Sequence, residues 1–238
     1  MSDLFIGLMS GTSMDGIDAA LVDLSGEKPN IVKAKTFSYA ATLKNRLIAC
    51  ANGSLITPDE IAELDVLTGQ AFADACNELI VGISNEKICA IGSHGQTVCH
   101  CPDNTPGFTL QLGCPSQITE KTNITTISDF RRRDIAAGGQ GAPLMSAFHK
   151  ECFYSEYENQ LILNIGGIAN ITYLSKKKSD PLIGFDSGPG NCLMDRFIFK
   201  VKGEPFDHDG SFASQGRINE DLLNKFFNDQ YFSLRPPK

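Results

Sequence analysis

Twice along this chain an apolar run meets a glycine-bearing turn and comes back as a second apolar run. That recurrence constrains the fold more than any other feature. Residues 4–9 (Leu4-Phe5-Ile6-Gly7-Leu8-Met9) lead into the polar turn Ser10-Gly11-Thr12-Ser13-Met14-Asp15-Gly16, and residues 17–24 return, alternating in their later part. Leu161-Ile162-Leu163-Asn164-Ile165, the turn Gly166-Gly167 and residues 168–174 do the same again. Each reads as a β-hairpin, and two lobes that open alike suggest duplication. Glycine-turn hairpins are common enough that coincidence stays open on this ground alone.

The stretches around the hairpins read as α/β. Thr57-Pro58-Asp59-Glu60 is a helix start, with Thr as N-cap, Pro at the first helical position and Glu to close a capping box. Ile61, Leu64, Thr68, Ala71, Phe72, Ala75, Cys76 and Leu79 follow at helical spacing, as in an amphipathic helix lying on a sheet. Residues 87–92, 108–113 and 124–128 read as strands, and 143–153 as a helix. Lys176-Lys177-Lys178 reads as a solvated hairpin tip, and the closing Arg235-Pro236-Pro237-Lys238 as loop.

Composition narrows the partners. The 238 residues carry a net charge of −7, which argues against nucleic acid or an anionic membrane as the main partner. A phosphate ligand is still compatible, because backbone N–H groups can hold one. The N-terminus has no basic, apolar leader pattern and no run is long enough to span a membrane. The eight cysteines are scattered singly, so reduced thiols and a cytoplasmic location are expected.

Four clusters could carry chemistry. Gly11-Thr12-Ser13-Met14-Asp15-Gly16-Ile17-Asp18 joins two strands: its glycines allow close backbone approach, its hydroxyls donate, and Asp15 or Asp18 could hold magnesium through water. A plain polar turn accounts for the same spacing equally well. Ser93-His94-Gly95-Gln96-Thr97 gathers polar side chains around one glycine after a strand, as at the rim of an α/β cleft. His94, His100, Cys99, Cys101 and Cys114 lie close in sequence, but C-x-C is not the usual zinc spacing, so a zinc-binding interaction module is disfavoured. Asp129-Phe130-Arg131-Arg132-Arg133-Asp134 leads into Gly138-Gly139-Gln140-Gly141-Ala142-Pro143; arginine suits a carboxylate or phosphate, and for Arg132 pairing with a nearby acid is the preferred reading. Gly184-Phe185-Asp186-Ser187-Gly188-Pro189-Gly190-Asn191 presents an acid at a strand end before an apolar helix. Asp186 there suits a general base, and a helix cap formed by Asp186 or Ser187 is the evenly weighted alternative.

These blocks, with Gly7-Leu8-Met9-Ser10 before the first turn and Asn164-Ile165-Gly166-Gly167-Ile168-Ala169-Asn170 at the second, follow one order along the chain. Together they resemble the anhydro-N-acetylmuramic acid kinase family. The resemblance implies a two-lobed hexokinase/actin/Hsp70-like (ribonuclease H-like) α/β fold. An N-terminal lobe over 1–134 would hold the first phosphate hairpin and the sugar-side loops. A second lobe over 135–238 would hold the second glycine hairpin and the catalytic Asp. It implies ATP and Mg2+ bound by Gly11, Thr12, Ser13, Met14, Asp15, Gly16, Ile17, Asp18, Gly166, Gly167 and Asn170. His94, Gln96, Thr97, Arg131, Asp134 and Gly188 would meet the sugar, with Arg131 on its lactyl carboxylate.

The implied reaction is hydrolytic opening of a 1,6-anhydro-amino sugar with phosphorylation of O6, in cell-wall recycling. In it Asp186 would be the base, as one carboxylate is in inverting glycosidases. The expected partners are these small molecules, with no nucleic acid, no membrane and a homodimer as a candidate assembly. Family members run on past this sequence, so the second lobe is expected to be incomplete. A truncated, inactive relative that only binds nucleotide or sugar is the alternative reading.

Overall fold

A computed structural model of the chain describes residues 3–235; Pro236, Pro237 and Lys238 of the expected terminal loop lie outside the described residues. The chain divides into two compact units, Met1–Ala142 and Pro143–Lys238. The division expected after Asp134 falls inside a short helix, Arg132–Ala136.

The first unit runs β1 (Leu4–Ser10), β2 (Ile17–Asp23), β3 (Asn30–Phe37), α1 (Ala41–Ala51), α2 (Pro58–Leu79), β4 (Ile88–Cys101), β5 (Phe108–Leu112), α3 (Pro115–Thr122), β6 (Thr126–Ser128) and α4 (Arg132–Ala136). Its sheet has the order β3-β2-β1-β4-β5, with β6 also paired to β4. β1, β2 and β3 form an antiparallel meander, whereas β4 lies parallel to β1 and β6 parallel to β4. The parallel β1–β4 pair needs a long crossover, supplied by β2, β3, α1 and α2. Alternation in β1 sends Ile6, Leu8 and Ser10 inward and leaves Gly7 and Met9 exposed. Ile6, Leu21, Leu47, Phe72, Leu79 and Ile91 are among the core side chains that meet beneath the sheet.

The expected hairpin and the long helix are both present. α2 begins with the full reciprocal cap: Glu60 N–H donates to Thr57 Oγ1 at 3.2 Å, and Thr57 N–H to Glu60 Oε2 at 2.7 Å. β3 carries no expectation from the sequence, because Phe37 is its one buried residue and an exposed strand shows no hydrophobic period.

The second unit contains α5 (Met145–Phe153), β7 (Gln160–Ile165), β8 (Ile168–Leu174), β9 (Ile183–Pro189), α6 (Cys192–Lys202), α7 (Glu220–Phe227) and α8 (Gln230–Ser233). Its sheet is the antiparallel trio β7-β8-β9. Both units thus contain a hairpin that is extended by a third antiparallel strand and followed by a helix, in the second unit after α5. α5 lies against β8, where Ser146, His149 and Thr172 form a buried hydrogen-bonded cluster. Leu161, Leu163 and Ile165 of β7 stay exposed, as do Leu193, Met194 and Phe197 of α6. No helix among the described residues is long and apolar enough to cross a membrane.

One close approach fixes α2. Asp65 Oδ1 accepts from Gly113 N–H at 2.8 Å, and the Asp65 carbonyl accepts from Cys114 N–H at 3.1 Å. A Cβ on Gly69 would stand 2.6 Å from the Cys114 carbonyl oxygen. Replacing a glycine by alanine within a helix ordinarily stabilises by about 1 kcal/mol. Here the crowding should outweigh that gain, so Gly69→Ala is expected to lower stability by about 1–2 kcal/mol in urea unfolding. A gain would show that the approach is looser.

Candidate active site

The first hairpin turn is held from below. Gly11 C=O accepts from Met14 N–H at 3.0 Å and from Gln96 Nε2 at 3.0 Å. Met14 sits in the left-handed region at φ 55°, and its side chain, 2% exposed, plugs the core. Ser10 Oγ closes the base of the loop by donating to Gly16 C=O at 2.7 Å. Tyr39 OH donates to Gln96 Oε1 at 3.4 Å, and burial pushes the Tyr39 hydroxyl up to about 12, so it stays protonated. Thr12, Ser13 and Asp15 are exposed above this plug.

The donor set of that turn fits magnesium carried by a phosphate ligand. Asp15 and Asp18 are exposed, and Asp18 Oδ1 accepts from Thr36 Oγ1 at 2.6 Å. Among the described residues no group of three His, Cys, Asp or Glu side chains could hold a metal. A site of one or two carboxylates and no closed cage is what magnesium prefers, since it keeps its waters and leans on phosphate oxygens.

Ser93-His94-Gly95-Gln96-Thr97 is placed otherwise than expected: β4 does not end before it but runs through it. The register slips there, from Leu8↔Ser93 to Ser10↔Gln96. The extra residue is accommodated at Gly95, whose φ of +74° favours glycine and whose Cβ would stand 2.6 Å from Leu112 C=O. Without that bulge Gly95 would face Ser10. With it, Gln96 turns inward to 0% exposure, its Nε2 bound to Gly11 C=O and Thr97 C=O. Thr97 Oγ1 accepts from Gln111 Nε2 at 3.1 Å.

His94 points elsewhere, to Arg131. Arg131 Nε donates to His94 Nε2 at 2.8 Å, and Arg131 Nη1 donates to Gly141 C=O at 2.5 Å. Asp134 Oδ2 accepts from Gly141 N–H at 2.6 Å, and its carboxylate occupies the space that a Cβ on Gly139 would need. Three sequence blocks therefore meet at one place. Arg132 pairs with Asp129 at 3.6 Å, as expected of a charged strand end. A groove of about 500 Å3 runs beside α4, walled by Pro102, Phe108, Arg132, Ile135 and Gly139.

In the second unit, β9 likewise runs on through its motif, from Ile183 to Pro189. Asp186 pairs with Asn170 and Gly188 with Ala169, so Ser187 is bulged out. Bulges re-aim side chains beside active sites. Ser187 Oγ donates to Ala169 C=O at 3.1 Å, and Tyr231 OH donates to Asp186 C=O at 2.6 Å, pinning the chain just after the Asp186 Cα. Asn191 stands at the N-cap of α6, with no side-chain cap bond. Gly188 is buried at φ +138° against Phe232. Gly166 C=O accepts from Asn191 N–H, and Gly167 C=O from Gly190 N–H and Cys192 N–H, so the second turn is stitched to the start of α6. Asn170 Oδ1 is buried without a partner among the described residues, an acceptor that a ligand hydroxyl or a water would complete.

Comparison with known proteins adds the following. Residues 3–238 match the family model described as anhydro-N-acetylmuramic acid kinase. A Shewanella baltica (strain OS223) protein called anhydro-N-acetylmuramic acid kinase is 50% identical over 236 residues, covering 98% of this chain and 64% of the relative. One of that name from Xanthomonas campestris pv. campestris (strain 8004) is 47% identical over 243 residues, covering 100% of this chain and 64% of the relative. The chain thus spans 64% of the length of these curated relatives. Among solved structures, a Ppx/GppA phosphatase of Aquifex aeolicus aligns with a TM-score of 0.41 at 10% identity, covering 94% of this chain and 60% of the other.

The buried amide of Gln96 makes a direct prediction. Gln96→Glu keeps the shape but sets a carboxylate oxygen against two backbone carbonyls. The variant should lose on the order of 3 kcal/mol at neutral pH, the scale of an uncompensated buried charge. Burial raises such a carboxyl's pKa, so the deficit should shrink as pH falls and the group takes up a proton that can donate to Gly11. Urea unfolding at two pH values reads both effects, and a pH-independent deficit would refute the bonding scheme.

Proposed function

The chain belongs to the anhydro-N-acetylmuramic acid kinase family, and from that premise we propose that it takes part in opening a 1,6-anhydro-N-acetylmuramic acid ring and phosphorylating O6 from ATP. The observation that carries the proposal is the bulged strand at Asp186. Asp186 stands opposite Asn170 and two residues before the left-handed Gly188, with its carbonyl held by Tyr231 OH.

In this reading Asp186 takes a proton from water, and the resulting hydroxide forms a bond to the anomeric carbon. The bond from that carbon to O6 breaks, and the O6 oxyanion attacks the γ-phosphorus, releasing ADP. The proton stays on Asp186 until it passes to solvent. Thr12, Ser13 and the backbone around Gly11 grip the phosphates. Gly166, Gly167 and Asn170 of the second turn are the other nucleotide-side candidates. Asp15 and Asp18 would hold magnesium through water, which neutralises charge on the transferring group. Arg131 takes the lactyl carboxylate. The place of action is the cytoplasm, where ATP is available.

Two substitutions test this. Asp186→Asn keeps shape and hydrogen bonding but removes the proton acceptor. Turnover should fall by roughly 10²–10⁴-fold, with ATP affinity and unfolding midpoint unchanged; near-parental turnover sinks the base assignment. Gly11→Val tests the phosphate grip, because a Cβ there is in ordinary contact with Ser13 Oγ at 3.8 Å, and the unfolding midpoint checks that the variant folds. Calorimetry should then show weakened ATP binding by a folded protein, and unchanged affinity would count against the hairpin.

A further inference from the structure

His94 is easily taken for a sugar ligand, yet its ring is already committed at both ends. Nδ1 lies 2.9 Å from Gly95 C=O, and Nε2 lies 2.8 Å from Arg131 Nε. Arginine can only donate, so Nε2 must be the bare, accepting nitrogen. The carbonyl can only accept, so Nδ1 carries the proton. The two contacts therefore define one neutral tautomer.

The consequence falls on Arg131. Its Nε is held by His94 and its Nη1 by Gly141 C=O, so two points fix the guanidinium plane. The carbonyl is itself fixed, since Gly141 N–H is bound by Asp134. A guanidinium meets a carboxylate well only when its fork is coplanar with it. We propose that His94 is a positioning residue, a neutral imidazole that locks the Arg131 guanidinium in the plane that receives a sugar-borne carboxylate. The proposal rests on the assignment of Arg131 to the lactyl carboxylate made above.

Burial holds the His94 imidazole below its ordinary 6.5, with the Arg131 charge acting in the same direction. Arg131 is the charged group bearing on it; Gly95 faces it with a carbonyl. The ring is therefore neutral at neutral pH. Protonation at lower pH would set an N–H of His94 against the N–H of Arg131 and break the lock.

The test uses two sugars that differ in the carboxylate: N-acetylmuramic acid, which has the lactyl ether, and N-acetylglucosamine, which lacks it. Calorimetry would compare both on the parent, His94→Leu, His94→Gln and Arg131→Ala, at pH 8 and at a pH well below 6.5. His94→Leu should weaken N-acetylmuramic acid by about tenfold, the scale of one hydrogen bond to a charged group, and leave N-acetylglucosamine unchanged. His94→Gln retains an accepting oxygen that does not titrate. It should keep most of the preference at both pH values, while the parent loses its preference at the lower one.

A loss shared equally by both sugars in His94→Leu would mean direct contact with the ring, and an intact preference would mean no role; either overturns the proposal. Should His94→Leu fail to fold, the contrast between parent and His94→Gln at low pH decides alone. Loss of preference in Arg131→Ala but not in His94→Leu defeats the positioning role only. No effect of Arg131→Ala defeats the carboxylate assignment, and the proposal with it.

Discussion

One buried amide organises the first half of the molecule. Gln96 Nε2 reaches from β4 to the Gly11 carbonyl in the turn between β1 and β2, joining segments far apart in sequence through a fully buried side chain. A buried polar group left without its partner costs about 1–3 kcal/mol, so the bond is effectively obligatory. It fixes the turn's carbonyl side inward, and with it which side chains remain outside. Thr12, Ser13 and Asp15 are exposed because Ser10, Met14, Tyr39 and Gln96 fill the space beneath them.

That arrangement depends on a single inserted residue. Leu8 and Ser10 face the core from β1, and in an unbroken ladder they would oppose Ser93 and Gly95. The bulge at Gly95 puts Gln96 opposite Ser10 and leaves His94 on the other side of the strand. The same device recurs in β9, where the bulge at Ser187 leaves Asp186 opposite Asn170. Thr172 and Gly184, the neighbouring pair on that ladder, carry Ser146 of α5 over them. A bulge breaks the period of two that would otherwise dictate side-chain direction, and both candidate sites carry one.

The polar residues of the motifs accordingly divide by duty. Gln96 and Asp134 direct their polar atoms at the chain itself, and His94 at Arg131. A binding site needs such groups as much as it needs the ones that touch ligand, because a guanidinium or hydroxyl that wanders by an ångström loses most of its value. The second unit shows the same economy at backbone level, with Gly166 and Gly167 accepting from the start of α6.

Much of this molecule was legible in its residues. The two hairpins, the capped helix from Pro58 to Leu79 and the strand before the helix at Cys192 follow from local rules: hydrophobic period, turn chemistry and capping act within a few residues. The blocks around Gly11, Arg131 and Asp186 could be picked out because polar groups concentrated beside glycines stand out against an apolar background. β3 was not legible, since an almost fully exposed strand carries no period. The path of β4 and β9 through their motifs was not legible either, because Gly95 and Gly188 read as breakers until the partner strand is known. The hydrogen-bond partners of Gln96 and His94 lay beyond the sequence for a deeper reason. Whether a polar side chain serves ligand or chain depends on which donor or acceptor lies within about 3 Å of it, and for these two the partners are 85 and 37 residues away along the chain. Residue types and spacing set what could be offered; only tertiary pairing decided which offers were already taken.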